Sequence, residues 1–324
     1  MKKCQPIRLI ELFVRLAKKK TFFLLLLFTL FFLPGENFYE SLRLKFKESL
    51  VRKNEFALPQ LLDYPVNVKG ARTLFLTAKS AIIVDVPSKV AIFAKEPQAC
   101  LSQASTTKIM TALVALKNYE MDDILTVPNL DSLIGRNMKL FEGEKISVEN
   151  LLYGLLVHSA NDAALTLAAG YSSGIEAFID SMNETANELG LFNTHFSDIS
   201  GLDRPDHYST VRDLAHLAAY AMEDSILARM VGISGILVSD TSQKHWHKLE
   251  TTNELIGKVP GLKGVKTGWT EKAGECLISY VERDGRKIIV VLLGSQDRFG
   301  ESERLIEWVF ENYNWQEITL STQD

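Results

Sequence analysis

Cysteine is almost missing from this chain: 324 residues contain three, Cys4, Cys100 and Cys276. No Cys-x-x-Cys pair and no Cys/His spacing occurs, which excludes the common structural zinc sites and a disulfide-stapled scaffold. Cys4 stands in a basic head, and Cys100 and Cys276 read as unpaired, mostly buried thiols. Nine prolines and 19 glycines are too few for a collagen-like or low-complexity chain. A surplus of positive charge is lacking too: 36 basic residues face 40 acidic ones, so no nucleic-acid partner is expected. There is no His-Glu-x-x-His for a zinc peptidase and no Gly-x-Ser-x-Gly elbow for an α/β-hydrolase. The one close histidine pair, in His245-Trp246-His247, reads as surface or loop, and no metal or cofactor is called for.

What remains is an ordinary globular composition, 46% hydrophobic and 23% charged, with material for a sizeable core. The charge is uneven. Residues 1–20 hold seven Lys/Arg against Glu11 alone, so the rest must carry the deficit behind the total of −4. Thr21 to Leu33 (TFFLLLLFTLFFL) then runs 13 residues without a charge. That is short for a spanning helix, which needs about 20 apolar residues, and it matches the apolar core of a secretory signal. Leu33-Pro34-Gly35 offers no small-residue cleavage site, so the expectation is an uncleaved anchor over 21–34. Its basic head, 1–20, stays in the cytoplasm and the rest lies outside the cytoplasmic membrane. Residues 35–65 read as a charged stalk, 66–313 as one catalytic domain and 314–324 as a tail.

Within the domain, residues 81–84 and 90–93 read as a hairpin. Helices are expected at 109–119, 148–157, 162–169, 175–189 (stopped by Gly190), after the cap Thr210, and at 302–313. Strands at 277–281 and 287–293 flank Asp284-Gly285, a strong hairpin turn. Strands, a helical middle, then strands and a helix imply a sheet built from both ends of the domain, an α/β (α+β) arrangement with a helical insertion.

Three short motifs carry chemistry. Ser105 and Lys108 are three apart where a helix begins, so hydroxyl and amine can meet on one face. A buried lysine of lowered pKa could take the serine proton, and the helix start could hold an oxyanion. Ser159 and Asn161 flank a break between two apolar helices, where both can point into one cleft, or simply cap a helix. Ser181-Met182-Asn183 repeats that pattern inside a regular helix and is read as structural. Lys266-Thr267-Gly268 suits a strand edge that receives a carboxylate, or is merely a charged edge; Gly268 would let backbone approach ligand. Val265 excludes a P-loop.

Each motif alone is weak, but the ordered set Ser-x-x-Lys, Ser-x-Asn, Lys-Thr-Gly resembles penicillin-binding proteins and class A β-lactamases. The segments ASTTKIMT (104–111), HSANDAA (158–164), Gly201-Leu202 with HYSTVRD (207–213), and GVKTGWT resemble D-alanyl-D-alanine carboxypeptidases of the S11 serine peptidase family. The resemblance covers about residues 70–310. It implies a β-lactamase/transpeptidase-like fold, with an antiparallel sheet flanked by helices, a helical subdomain and a cleft between them. It also implies these roles: Ser105 nucleophile, Lys108 general base, Ser159 proton relay. Lys266 and Thr267 would bind the terminal carboxylate, and Asn161 would orient the substrate. Amides of Ser105 and of Trp269, the bulky residue after Gly268, would form the oxyanion hole. The implied partners are a peptidoglycan stem peptide and, as covalent inhibitors, β-lactams. About a dozen residues follow the last helix, so the family's frequent C-terminal β-domain and amphipathic helix are expected to be absent. The alternatives are a DD-endopeptidase of the same family and a class A β-lactamase. The latter lacks its Glu-x-x-Leu-Asn run. A catalytically silent wall-binding scaffold would not need the intact Ser105, Lys108, Ser159 and Lys266.

Overall fold

The computed structural model divides the chain into two units, Met1–Gln60 and Leu61–Asp324, and describes residues 63–317 together with Lys20 and Leu24. The expected head, anchor and most of the stalk lie outside the described residues. Among the described residues no helix is long and apolar enough to cross a membrane.

The second unit is organised by one five-stranded antiparallel sheet. Its strands are β2 (Ser80–Asp85), β3 (Ala91–Lys95), β8 (Leu262–Thr270), β9 (Gly274–Arg283) and β10 (Arg286–Ser295), in the order β3-β2-β10-β9-β8. The β9–β10 turn places both Asp284 and Gly285 at positive φ, the geometry that Asp-Gly favours between twisted strands. Residues 288–293 of β10 are apolar without a break because both faces of the strand are covered. Ile288, Val290 and Leu292 face one cluster; Ile289, Val291 and Leu293 face the other.

The first cluster is completed by the C-terminal helix. It spans Arg298–Asn312, beginning four residues before the expected start because Asp297 caps it by accepting from Gly300 N. This helix, α7, packs Leu305, Ile306 and Val309 onto the sheet. The other face is covered by helices α1 (Lys108–Asn118), α2 (Val148–Leu156), α3 (Asn161–Ala169), α4 (Gly174–Glu188), α5 (Val211–Ala221) and α6 (Ser225–Val231). Thr210 caps α5 by accepting from Asp213 N, as its sequence suggests, and Gly190 takes φ +71 beyond α4.

Three two-stranded sheets were not expected. Strand β4 (Ile124–Thr126) pairs with β5 (Lys145–Ser147), and β6 (Gly235–Ser239) with β7 (Trp246–Glu250). Strand β1 (Tyr64–Asn67) pairs with β11 (Tyr313–Gln316). Residues assigned to stalk and tail are therefore joined to the folded unit at 64 and 316. His247, expected at the surface, is buried in β7 and bonds Glu144 Oε1 at 2.7 Å. Both described cysteines are free, and Cys100 is exposed while Cys276 is buried.

Candidate active site

The nucleophile motif lies on a single 3-10 turn, Ala104–Thr107, that leads directly into α1. That turn is clasped between two glycines. A Cβ on Gly201, at φ +94, would lie 1.9 Å from Ala104 O, and one on Gly268 would lie 2.9 Å from Ser105 N and from Ala104 Cβ. Any side chain at either position would displace the turn. The sequence reading has Gly268 admit ligand; the closest approach it permits is to the nucleophile's own backbone. Strand β8 thus passes over the Ser105 amide at the residue before Trp269. Ala104 is itself left-handed (φ +49), as is Ser159 (φ +61), a strained geometry typical of functional sites.

Lys108 is the first residue of α1 and is fully buried. Its Nζ lies 2.8 Å from Ser105 Oγ and donates to Ser200 O, also at 2.8 Å. Burial lowers its pKa to about 7, with Asp198 and Asp162 pulling the other way. Near neutral pH a large fraction is therefore an amine whose lone pair can face the serine hydroxyl.

Asp198 builds the far side of this pocket. Burial opposes its ionisation, yet bonds from the amides of Leu202, Ser200 and Gly201 and from Ser200 Oγ hold its pKa below the ordinary value. The carboxylate fixes the loop whose Ser200 carbonyl orients Lys108. Asp162, buried in α3, accepts from the amides of Met138 and Leu140 and so secures the segment after Ile134. His207 supports the turn from behind. Its Nδ1 accepts from Ser197 N at 3.1 Å, so Nε2 carries the proton and donates to Thr107 Oγ1 at 2.7 Å. Burial first, among several causes, brings its pKa down to about 4, which keeps the ring neutral.

The cleft beside Ser105 has a volume of 640 Å³. Ser159 and Asn161 form one wall, with Asn161 Nδ2 donating to Ile134 O at 2.6 Å. Thr252, Thr267, Gly268 and Trp269 form the other, and Trp269 stands exposed at the rim. Seven of the eight residues singled out by sequence thus converge on the nucleophile or the cleft walls. The eighth, Lys266, is buried on β8 next to cleft-lining Thr267, and its ammonium donates to Thr267 O at 3.1 Å. Burial, then the positive charges of Lys108, Arg298 and Arg136, push its pKa well below the usual value.

Arg298, which lies outside the sequence motifs, lines the cleft, as do Arg136 and Arg204. Arg298 Nη1 donates to Gly268 O at 2.8 Å, and its buried Nε has no partner. It lies 30 residues beyond Gly268, at the start of α7, and no local spacing links it to the motifs. Asp198 and Thr252 were missed for the same reason. The decoy Ser181-Met182-Asn183 is structural: Asn183 braces Phe196 N and O from within α4.

A serine next to a buried amine of lowered pKa, at the floor of a cleft with a cation on its wall, defines a serine acyl-transfer site of the Ser–Lys type. Residues 67–297 match the family described as Peptidase_S11, D-alanyl-D-alanine carboxypeptidase, and the chain belongs to that family. The D-alanyl-D-alanine carboxypeptidase DacF of Bacillus subtilis is 32% identical over 256 residues, which are 75% of this chain and 65% of that protein. The chain thus spans about two thirds of that relative's length. The crystal structure of the Streptomyces K15 DD-transpeptidase superposes with a TM-score of 0.71 at 30% identity, covering 74% of this chain and all of that one. Penicillin-binding protein D2 of Listeria monocytogenes, in its cefotaxime-bound form, gives 0.67 at 29% identity with the same coverage.

Proposed function

We propose that this chain is a serine-type D-Ala-D-Ala carboxypeptidase that removes the terminal D-Ala from peptidoglycan stem pentapeptides and is acylated by β-lactams. The observation that carries the reading is the 2.8 Å approach of the buried Lys108 Nζ to Ser105 Oγ. Lys108 takes the Ser105 proton as Oγ attacks the carbonyl carbon of the penultimate D-Ala. The amides of Ser105 and Trp269 hold the oxyanion. The carbon–nitrogen bond then breaks, Ser159 passes a proton to the departing amine, and water releases the acyl group from Ser105. Thr267 and Arg298 receive the terminal carboxylate, and Lys266 braces Thr267 by donating to its carbonyl. Asn161 aligns the peptide. The basic head and apolar run of the first 34 residues support placing the enzyme on the outer side of the cytoplasmic membrane, held by an uncleaved single-pass anchor.

Intact mass after mixing with benzylpenicillin tests the reading. A persistent adduct on the wild type, none on Ser105→Ala, and release of D-Ala from a pentapeptide are expected. Rapid turnover of the drug would instead favour a β-lactamase, and no adduct on folded protein a silent scaffold.

A further inference from the structure

His247 is a buried ionisable group that the reaction above does not use. It sits in β7 and is only 6% exposed. Both of its ring nitrogens meet oxygen acceptors on one segment. Nδ1 lies 3.0 Å from Met138 O, and Nε2 lies 2.7 Å from Glu144 Oε1. Glu144 is buried as well, and its other oxygen accepts from Phe141 N at 3.2 Å. A neutral imidazole has a single N–H, so it donates to only one of these acceptors. The second bond uses one more proton, carried by the ring or by the carboxylate. Two opposed bonds from one small ring tie β7 to both ends of the 138–144 stretch.

That stretch continues the wall of the cleft. Ile134, Gly135 and Arg136 line the cleft, and residues 134–140 run without helix or strand. Their backbone groups are bonded from two sides. From α3, Asn161 N donates to Arg136 O at 2.7 Å, and Asp162 accepts from the amides of Met138 and Leu140. From β7, His247 holds Met138 O. These bonds flank Lys139, whose φ of +68 is left-handed, a conformation that persists in a non-glycine residue where its surroundings over-determine it. Asn161 Nδ2 in turn donates to Ile134 O at 2.6 Å, so the side chain that aligns the peptide takes its orientation from this same segment. There is no slack between them. A Cβ on Gly135 would lie 2.7 Å from Asn161 Nδ2, and one on Gly154, in α2, would lie 2.2 Å from Met138 Sδ. A shift at Met138 is therefore passed on to Asn161 rather than absorbed.

We propose that His247, paired with Glu144, is a positioning residue for substrate alignment: it fixes the 134–140 wall and, through it, the Asn161 amide. This rests on the DD-peptidase reading and adds to it a pair that stands outside the cleft lining.

The test is a double-mutant cycle on the full chain, read as kcat/KM for D-Ala release from an acylated D-Ala-D-Ala peptide. His247→Phe fills the space without either bond and should lower kcat/KM about tenfold. Added to Asn161→Ala, it should cost less than about twofold, because the side chain it positions is gone. Glu144→Gln is the conservative variant. Its amide oxygen accepts from Phe141 N while its NH2 donates to Nε2, which leaves the Nδ1 proton for Met138 O. It should stay within about twofold of wild type, whereas Glu144→Ala should lose about tenfold. Losses from His247→Phe and Asn161→Ala that simply multiply would overturn the proposal and leave His247 a packing residue. Wild-type activity in His247→Phe overturns it as well, and so does a Glu144→Gln loss as large as that of Glu144→Ala. Should His247→Phe be unfolded at the assay temperature, His247→Gln, which keeps one donor, takes its place in the cycle with the same non-additivity expected. A wild type inert toward both the peptide and benzylpenicillin overturns the DD-peptidase reading instead.

Discussion

Both faces of the central sheet are apolar, and they differ in how they treat charge. On the α7 side, buried Glu301 accepts from Ala78 N and Ser295 Oγ, a neutral set of partners that leaves the carboxylate satisfied. On the helical side, two lysines and a histidine are buried with their pKa values pushed down, and Asp162 and Asp198 are held in place by backbone amides. The α7 face is a packing layer. The helical face keeps buried charges whose desolvation is not fully offset, and it does so around Ser105. Desolvated ionisable groups that cluster at a cleft are what acid–base chemistry requires, whereas stability alone would favour apolar replacements.

The largest effect that sharpens this contrast is expected from Lys108→Met. Benzylpenicillin acylation should fall by about a thousandfold or more, because the amine that bonds Ser105 Oγ is gone. Tm should hold or rise, since a desolvated lysine is replaced by an apolar chain. A clear fall in Tm would show that the lysine belongs to the packing after all. Leu305→Ala, on α7, is the converse. It should lower unfolding free energy by about 4 kcal/mol in denaturant titration while acylation per folded molecule stays unchanged. A slowed acylation would break the separation of the two faces.

A smaller effect follows from His207. Unfolded, the ring titrates near its ordinary value of 6.5; folded, it stays neutral down to about 4. As pH falls through this window the unfolded chain binds the extra proton, so stability declines with falling pH and the loss is complete below 4. The span corresponds to on the order of 3 kcal/mol. Comparing stability between pH 7 and pH 4 for wild type and His207→Gln isolates it. Equal acid sensitivity would place the effect in the carboxylates.

Much of this architecture is local and could be read along the chain. The Asp284-Gly285 turn, the Thr210 cap, the Gly190 stop and the continuous apolar run of β10 each depend on a few neighbouring residues. The Ser105–Lys108 contact is local too, since one turn brings residues three apart together. The β1–β11 pair escaped notice because its strands join residues nearly 250 positions apart and only four residues long. The β6–β7 pair is hard to read locally because β6 is only the short run GILVS and β7, WHKLE, carries charge at alternate positions.

The sequence by itself determined the catalytic alphabet: a hydroxyl and an amine one turn apart, a second hydroxyl with an amide, and a lysine-threonine strand edge. Only the tertiary structure decided that Arg298 lines the cleft, because it reaches Gly268 O from another element. It also decided that Lys108 titrates near neutrality. A pKa is set by how much water is removed and by which charges remain nearby, and both are properties of packed chains rather than of neighbouring residues.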